Sequence, residues 1–129
     1  METLDFGKAK VRLPSGKEVG VIDALSFCYG LSDTDVELLK ILINKGTASE
    51  DEISQLMKIS KASVNRSLNK LLSVGFVDKS RGETPKLGRP KYMYKAMPVD
   101  ELVERIRNEF HDCARIFSEM LNKIVREDK

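Results

Sequence analysis

The sequence contains few of the residues on which enzyme chemistry usually depends, with one histidine, two cysteines and no tryptophan. The histidine, His111, falls on an outward position of a helical pattern and has no partner for catalysis. Cys28 and Cys113 are far apart in the chain and form no pair at metal-ligand spacing. The segment from Gly82 to Gly88 is not followed by the Lys-Ser or Lys-Thr of a phosphate-binding loop. We therefore expect no enzyme activity, no metal and no cofactor.

Long apolar segments are also missing, since no run approaches the ~18 residues of a membrane-spanning helix. The first residues, Met-Glu-Thr-Leu-Asp, lack the basic region and the apolar core of a signal peptide. These absences predict a cytoplasmic protein. The 129 residues are 41% hydrophobic and 33% charged, which is the composition of a globular protein with about one domain.

Basic side chains are concentrated in one block of the chain, although the formal net charge is only +2. Residues 1–52 hold six basic and ten acidic side chains, and residues 98–129 hold six and eight. Residues 53–97 hold ten basic side chains and two acidic ones. Such a block produces a positive surface that attracts polyanions. The charge pattern therefore favours a nucleic-acid partner over an ordinary solvated surface.

Turn residues and alternation mark the first elements. Residues 8–13 alternate polar and apolar side chains, Pro14-Ser15-Gly16 is a turn sequence, and residues 17–21 are predicted to pair back as a second strand. A short helix is predicted to follow and to end at Gly30, a residue suited to a left-handed carboxy-terminal cap. We place these elements at the start of a first domain, residues 1–97.

Three start signals predict the next helices. Ser32 caps a helix that Gly46 ends. Ser49-Glu50-Asp51-Glu52 is a capping box that opens a short helix. Its inward side chains are predicted to be Ile53, Leu56 and Met57. After a break of about three residues, Ser60 caps a helix from Lys61 to about Val74. Two helices joined by so tight a turn are typical of a helix-turn-helix.

The second helix of such a pair lies in the major groove of DNA. Its predicted inward face consists of Val64, Leu68, Leu71 and Leu72. The opposite face carries serines, asparagines and basic residues but no carboxylate, and these side chains suit phosphates and base edges. The candidate DNA-binding residues of this helix and its cap are Ser60, Lys61, Ser63, Asn65, Arg66, Asn69 and Lys70.

A basic hairpin follows, which we call the wing (residues 76–97). Residues 76–81 and 92–97 are the predicted strands, and a loop with glycines and prolines joins them. Gly88-Arg89-Pro90 holds an arginine on an extended backbone that suits the minor groove, the alternative being a tight turn with an incidental arginine. The candidate DNA-binding residues of the wing are Lys79, Arg81, Lys86, Arg89 and Lys91.

Pro98 is placed to open the last helix, residues 98–129. Apolar residues recur in it at steps of four and three, which is the heptad pattern of a coiled coil. The residues of this pattern are Val99, Val103, Ile106, Phe110, Cys113, Phe117, Met120 and Ile124. We interpret them as the interface of a homodimer, the alternative being a stripe that packs on its own domain.

Residues 31–97 resemble the winged helix-turn-helix domains of the MarR and TrmB type. The segment from Lys61 to Val77, KASVNRSLNKLLSVGFV, is similar to their recognition helix, glycine and first wing strand. The segments VIDALSFCYGLSDTD (Val21 to Asp35) and GRPKYMY (Gly88 to Tyr94) resemble small archaeal regulators of the Lrs type. This resemblance implies an archaeal transcription regulator that dimerises through its long terminal helices and lacks an appended effector domain.

The predicted fold is mainly α with a small β-hairpin: a winged helix-turn-helix and a long C-terminal coiled-coil helix. The predicted function is sequence-specific binding of double-stranded DNA by a homodimer that regulates transcription, with no membrane and no evident small-molecule ligand as partners. Two alternatives use the same surface. One is a weakly specific architectural or chromatin protein, and the other is a winged helix that docks on another protein.

Overall fold

The computed structural model of the chain describes residues 9–82 and 91–127. The chain divides into two compact units, Met1–Val99 and Asp100–Lys129. The predicted amino-terminal hairpin is confirmed, with β1 antiparallel to β2. In chain order the elements are β1 (Lys10–Arg12), β2 (Glu18–Gly20), α1 (Val21–Tyr29), α2 (Asp33–Lys45), β3 (Thr47–Ser49), α3 (Glu50–Met57), α4 (Lys61–Ser73), β4 (Val77–Arg81), β5 (Tyr92–Ala96) and α5 (Val99–Glu127).

The helix ends in the first unit coincide with the predicted capping residues. Ser32 Oγ accepts a hydrogen bond from the Asp35 backbone N–H at 3.1 Å, and the Asp35 carboxylate accepts one from the Ser32 N–H at 2.8 Å. Ser49 caps α3 in the same reciprocal manner. Gly30 and Gly46 follow α1 and α2 with φ of 72° and 97°, a region that side chains disfavour. The predicted ends of α1 and α2 and the predicted starts of α2 and α3 are therefore confirmed.

An antiparallel sheet in the order β3-β5-β4 completes the helix-turn-helix region. β4 and β5 form the predicted hairpin, with Val77 opposite Ala96 and Arg81 opposite Tyr92. The sequence did not predict β3, because three residues are too few to show alternation. β3 pairs with β5, and it leads directly into α3. The start of α3 is thereby held next to the wing.

The core of the first unit fixes which face of α4 is exposed. Val64, Leu68 and Leu71 are fully buried, as predicted, and Leu72 is half-buried. α4 packs through this side against α2, α3 and β4. A helix held along one face presents its opposite face outward, so the predicted DNA-binding side of α4 is available to a partner.

The predicted inward face of α3 was wrong in one position. Ile53 is fully buried and Met57 is half-buried, but Leu56 is 55% exposed. α3 has eight residues, so it makes about two turns. Over so short a length the spacing of apolar residues indicates a stripe, but it does not locate the line along which the helix touches its neighbours.

The second unit consists of α5, which begins directly after Pro98 as predicted. Its polar side chains form ion pairs one turn apart, including Arg105 with Glu109 at 3.4 Å and Arg115 with Glu119 at 3.2 Å. No helix within residues 9–82 and 91–127 is long and apolar enough to cross a membrane.

The apolar side chains of α5 differ in exposure between its two halves. Leu102 is fully buried and Ile106 is 7% exposed. In the C-terminal half, large apolar side chains are between 44% and 68% exposed. We call this group the apolar stripe, and it consists of Ile116, Phe117, Met120, Leu121, Ile124 and Val125.

Candidate nucleic-acid interface

The exposed face of α4 has a centre and two edges, because residues four apart lie on the same side of a helix. Lys61 and Asn65 form the edge beside α3, and Lys70 lies on the edge beside α2. Ala62 and Ser73, which were not predicted as site residues, are exposed between these edges. The centre of the face consists of Ala62, Arg66, Asn69 and Ser73.

Acidic residues of α3 hold the first edge. Lys61 Nζ lies 2.7 Å from Asp51 Oδ1. The hydrogen bond and the charge of Asp51 raise the pKa of Lys61, and Lys61 in turn lowers the pKa of Asp51. Asn65 Nδ2 donates to Glu50 Oε2 at 3.0 Å, and Asn69 Nδ2 donates to Asn65 Oδ1 at 3.0 Å. Two of the predicted DNA-binding residues, Lys61 and Asn65, are therefore bound to carboxylates of the same chain.

Glu50 and Asp51 were not among the predicted site residues, because the capping-box pattern accounts for them only as acids at the start of α3. Glu50 lies fifteen positions before Asn65, and Asp51 lies ten positions before Lys61. These separations are too large for any helical spacing rule to connect the partners. The capping box was the available signal, since it placed both residues in the first turn of the helix that packs on α4.

A buried carboxylate holds the second edge. Lys70 Nζ donates to the Gly30 carbonyl oxygen at 3.0 Å and lies 3.2 Å from Asp35 Oδ2. Asp35 is only 3% exposed. Burial by itself would raise the pKa of Asp35, but hydrogen bonds from the Ser32 backbone, Ser67 and Lys70 outweigh it and lower the pKa. Lys70 was predicted as a DNA contact, and in the structure it joins α4 to α2.

The serines at the start of α4 position Arg66. Ser60 Oγ accepts a hydrogen bond from the Ser63 backbone N–H at 3.1 Å, which caps the helix. Arg66 Nη2 donates to Ser63 Oγ, also at 3.1 Å. A guanidinium group has five N–H donors, so this contact leaves others available to a partner. Ser60 and Ser63 thus order the arginine side chain.

The wing carries exposed cations on both of its strands. Lys79 Nζ lies 4.3 Å from the centroid of the Tyr92 ring, a cation–π contact across the hairpin. Arg81 is exposed opposite Tyr92, and Lys91 is exposed just before β5. Two predicted contacts and the minor-groove tripeptide lie outside the described residues: Lys86, Arg89 and Gly88-Arg89-Pro90.

The order of these elements and their residues have a counterpart among known proteins. Residues 25–100, more than half of the chain, match the family model described as the sugar-specific transcriptional regulator TrmB. The chain belongs to the TrmB family. The resemblance to the TrmB type predicted from residues 31–97 is thereby confirmed.

This TrmB-family chain is similar to proteins from a bacterium and from archaea. It is 29% identical over 102 residues to the uncharacterised HTH-type transcriptional regulator YdgJ of Bacillus subtilis, an alignment that covers 79% of this chain and 59% of YdgJ. A possible transcriptional regulator of Methanosarcina mazei is 22% identical with a TM-score of 0.73, covering 94% of this chain and 98% of the other. The ST1889 protein of Sulfolobus tokodaii is 30% identical with a TM-score of 0.65, covering 78% and 93%. The predicted fold class is confirmed as mainly α with a small β-hairpin, winged-helix neighbours and a long C-terminal helix. The coiled coil stays a prediction.

The buried carboxylate of this TrmB-family chain provides a test of its packing. Replacing Asp35 with asparagine is expected to lower the free energy of unfolding by about 1–3 kcal/mol near neutral pH, because a buried charged hydrogen-bond acceptor is lost. Folding lowers the pKa of Asp35 from 3.8. The contribution of the Asp35 carboxylate to the free energy of unfolding is therefore fully present above pH 3.8, and it is lost as the pH falls through the folded-state pKa. Urea denaturation at about pH 7 and about pH 3 measures both effects.

Asp33→Asn is the matched control, since Asp33 lies in the same first turn of α2 but is exposed. It is expected to cost only a few tenths of a kcal/mol, through the helix dipole. Equal losses in the two variants, or a loss at Asp35 that does not shrink in acid, would contradict the assignment.

Proposed function

We propose that this chain is a homodimeric transcription regulator that binds specific sequences of double-stranded DNA. The observation that carries the proposal is the exposed centre of α4, where Arg66 and Asn69 project from a helix held by its opposite, buried face. Arginine forms bidentate hydrogen bonds with guanine, and asparagine does so with adenine, in the major groove. Membership in a family of transcriptional regulators supports the proposal. The segments Val21 to Asp35 and Gly88 to Tyr94 favour the archaeal Lrs type.

The wing supplies the part of the affinity that does not depend on sequence. Lys79, Arg81 and Lys91 are exposed, so they are available to DNA phosphates. Each neutralised phosphate releases counterions, and the affinity therefore falls steeply with salt concentration. We assign Arg89, in the loop between the strands, to the minor groove, where the negative potential favours arginine.

The apolar stripe of α5 is the proposed contact with a second copy of the chain. Six large apolar side chains within ten residues are at least 44% exposed, and a patch of this kind usually marks an interaction surface. Arg115 and Glu119 pair at 3.2 Å on the opposite, polar face of the helix, so α5 is amphipathic in this half. Ile106 is buried in the single chain, with only 7% of its surface exposed, so it has little surface left for a second copy. We therefore assign most of the interface to the C-terminal half of α5. Two paired heads would bind half-sites about one DNA turn apart, or a multiple of that distance.

Titration of labelled DNA tests the proposed function. Fluorescence anisotropy is measured with fragments of the source genome and with random duplex, at about 50 mM and about 200 mM salt. We expect some fragments to bind at least roughly a thousandfold more tightly than random duplex. Equal, strongly salt-dependent binding to every duplex would instead support an architectural protein. An absence of binding at low salt would refute DNA binding and favour a protein partner.

A further inference from the structure

Two asparagines on the exposed face of α4, Asn65 and Asn69, have side-chain amides whose orientation depends on a residue of another helix. We propose that Glu50, on α3, determines the base preference at Asn69 by fixing which amide atoms face the major groove. This inference rests on the proposed function, since it concerns how the same surface reads sequence. Glu50 itself is not assigned to contact DNA.

Three side chains form a hydrogen-bonded relay that begins at a carboxylate. Glu50 Oε2 accepts from Asn65 Nδ2 at 3.0 Å, and Asn65 Oδ1 accepts from Asn69 Nδ2 at 3.0 Å. Asn65 and Asn69 are one turn apart on α4, so the relay runs along the exposed face from its α3 edge to its centre.

The carboxylate gives this relay a single direction. An amide can be turned over, because its oxygen and nitrogen ends are nearly the same size, but an ionised carboxylate can only accept hydrogen bonds. Asn65 must therefore present Nδ2 to Glu50, which leaves Oδ1 toward Asn69. Asn69 must in turn present Nδ2 to that oxygen. Turning over either amide would place two acceptors against each other.

The fixed direction has a consequence for base recognition. Among the described residues, nothing donates to Asn69 Oδ1, and Asn69 Nδ2 has a second N–H beyond the one used by Asn65. One acceptor and one donor are the pair that adenine requires at N6 and N7. In the free protein the relay is exposed to water, which competes for its hydrogen bonds. Docking on DNA excludes that water and strengthens the directional preference.

The neighbouring residue provides a control of equal charge. Asp51 is the next residue of α3, and its carboxylate pairs with Lys61 rather than with an asparagine. Glu50→Gln and Asp51→Asn both remove one negative charge from the same helical turn. Only the first replaces an obligate acceptor at the head of the relay by an amide that accepts or donates equally well.

The experiment is selection of binding sites from randomised duplexes with the full chain, followed by anisotropy on single-base variants of the selected site. The wild type is expected to prefer adenine at one position of each half-site by roughly tenfold or more. Glu50→Gln and Asn69→Ala are expected to reduce that preference to about twofold or less at the same position, while the other positions are unchanged. Asp51→Asn is expected to keep it, although both charge-removing variants bind random duplex more tightly.

Several results would overturn the inference. They are a full adenine preference in Glu50→Gln, an equal loss in Asp51→Asn, or a loss in Asn69→Ala at a different base position. Thermal unfolding of each variant identifies misfolding, and Glu50→Ala, which removes the head of the relay altogether, then has to show the same loss. A wild type that prefers no sequence would refute the proposed function, whereas a preference that survives Glu50→Gln and Glu50→Ala would refute this inference alone.

Discussion

Replacement of Arg66 by alanine is expected to reduce the affinity for the preferred DNA site by roughly tenfold to a hundredfold. Arg66 lies at the centre of the exposed face of α4, and its hydrogen bond to Ser63 Oγ directs the side chain before DNA arrives. A pre-ordered arginine loses less conformational freedom on binding. Anisotropy titration with the selected site and with random duplex is the measurement, and the loss on random duplex is expected to be much smaller.

Two further variants separate base recognition from charge. Arg66→Lys keeps the charge but cannot form a bidentate contact, so it is expected to lose most of the sequence preference while it retains the salt dependence. Arg12→Ala removes an arginine from the first hairpin, where it pairs with Glu18 at 3.3 Å, and it is expected to bind as the wild type does. If Arg66→Lys keeps the full preference, Arg66 contacts phosphate and not a base.

A pair of aspartates in the apolar stripe is expected to have the largest effect on DNA binding. Leu121 and Ile124 are 62% and 53% exposed in the single chain. In a dimer each aspartate would be buried without a partner, at a cost that a helical interface of this size does not offset. The double variant Leu121→Asp, Ile124→Asp is therefore expected to be monomeric. Its affinity for the full site is expected to fall by roughly a hundredfold or more, because the two heads no longer bind as one molecule.

Sedimentation equilibrium measures the assembly, and anisotropy measures the affinity. Asn108→Asp combined with Asn122→Asp adds the same charge at exposed polar positions of α5, and this control is expected to remain dimeric. If the variant with both aspartates in the apolar stripe remains dimeric, the dimer interface does not lie in the C-terminal half of α5. A monomeric wild type at micromolar concentration would refute homodimerisation.

The sequence predicted those parts of the fold that depend on local backbone chemistry. Ser32, Gly46 and Ser49 mark helix ends because capping hydrogen bonds and a positive φ involve only neighbouring residues. β3 could not be predicted in this way, since its three residues become a strand only through pairing with β5. The exposure of Leu56 was also not predictable, because it depends on how the short α3 is rotated against its neighbours.

The sequence predicted the part of the candidate site that lies on α4, but not the residues of α2 and α3 that contact it. Helical periodicity identified the exposed face of α4, including Arg66 and Asn69, because exposure follows from the buried stripe on the opposite face. It could not identify the carboxylates that meet this face, since Glu50 and Asp35 belong to other helices. Asp35 completes the cap of α2 by accepting a hydrogen bond from the Ser32 N–H, which is a contact between neighbouring residues. Its burial and its contact with Lys70 required the packed structure.

The contacts at the two edges of α4 also determine whether this helix can be transplanted into another protein. Lys61 and Asn65 are bound to α3, and Lys70 is bound to α2 and to the Gly30 carbonyl. Residues 61–73 transplanted into another helix-turn-helix scaffold would keep their sequence but lose these partners. In the hybrid the lysines would lack their carboxylate partners, so its affinity for random duplex would rise. The asparagine amides would lack a fixed orientation, so its sequence preference would fall. Redesign of the specificity of this chain therefore has to treat α2, α3 and α4 as one unit.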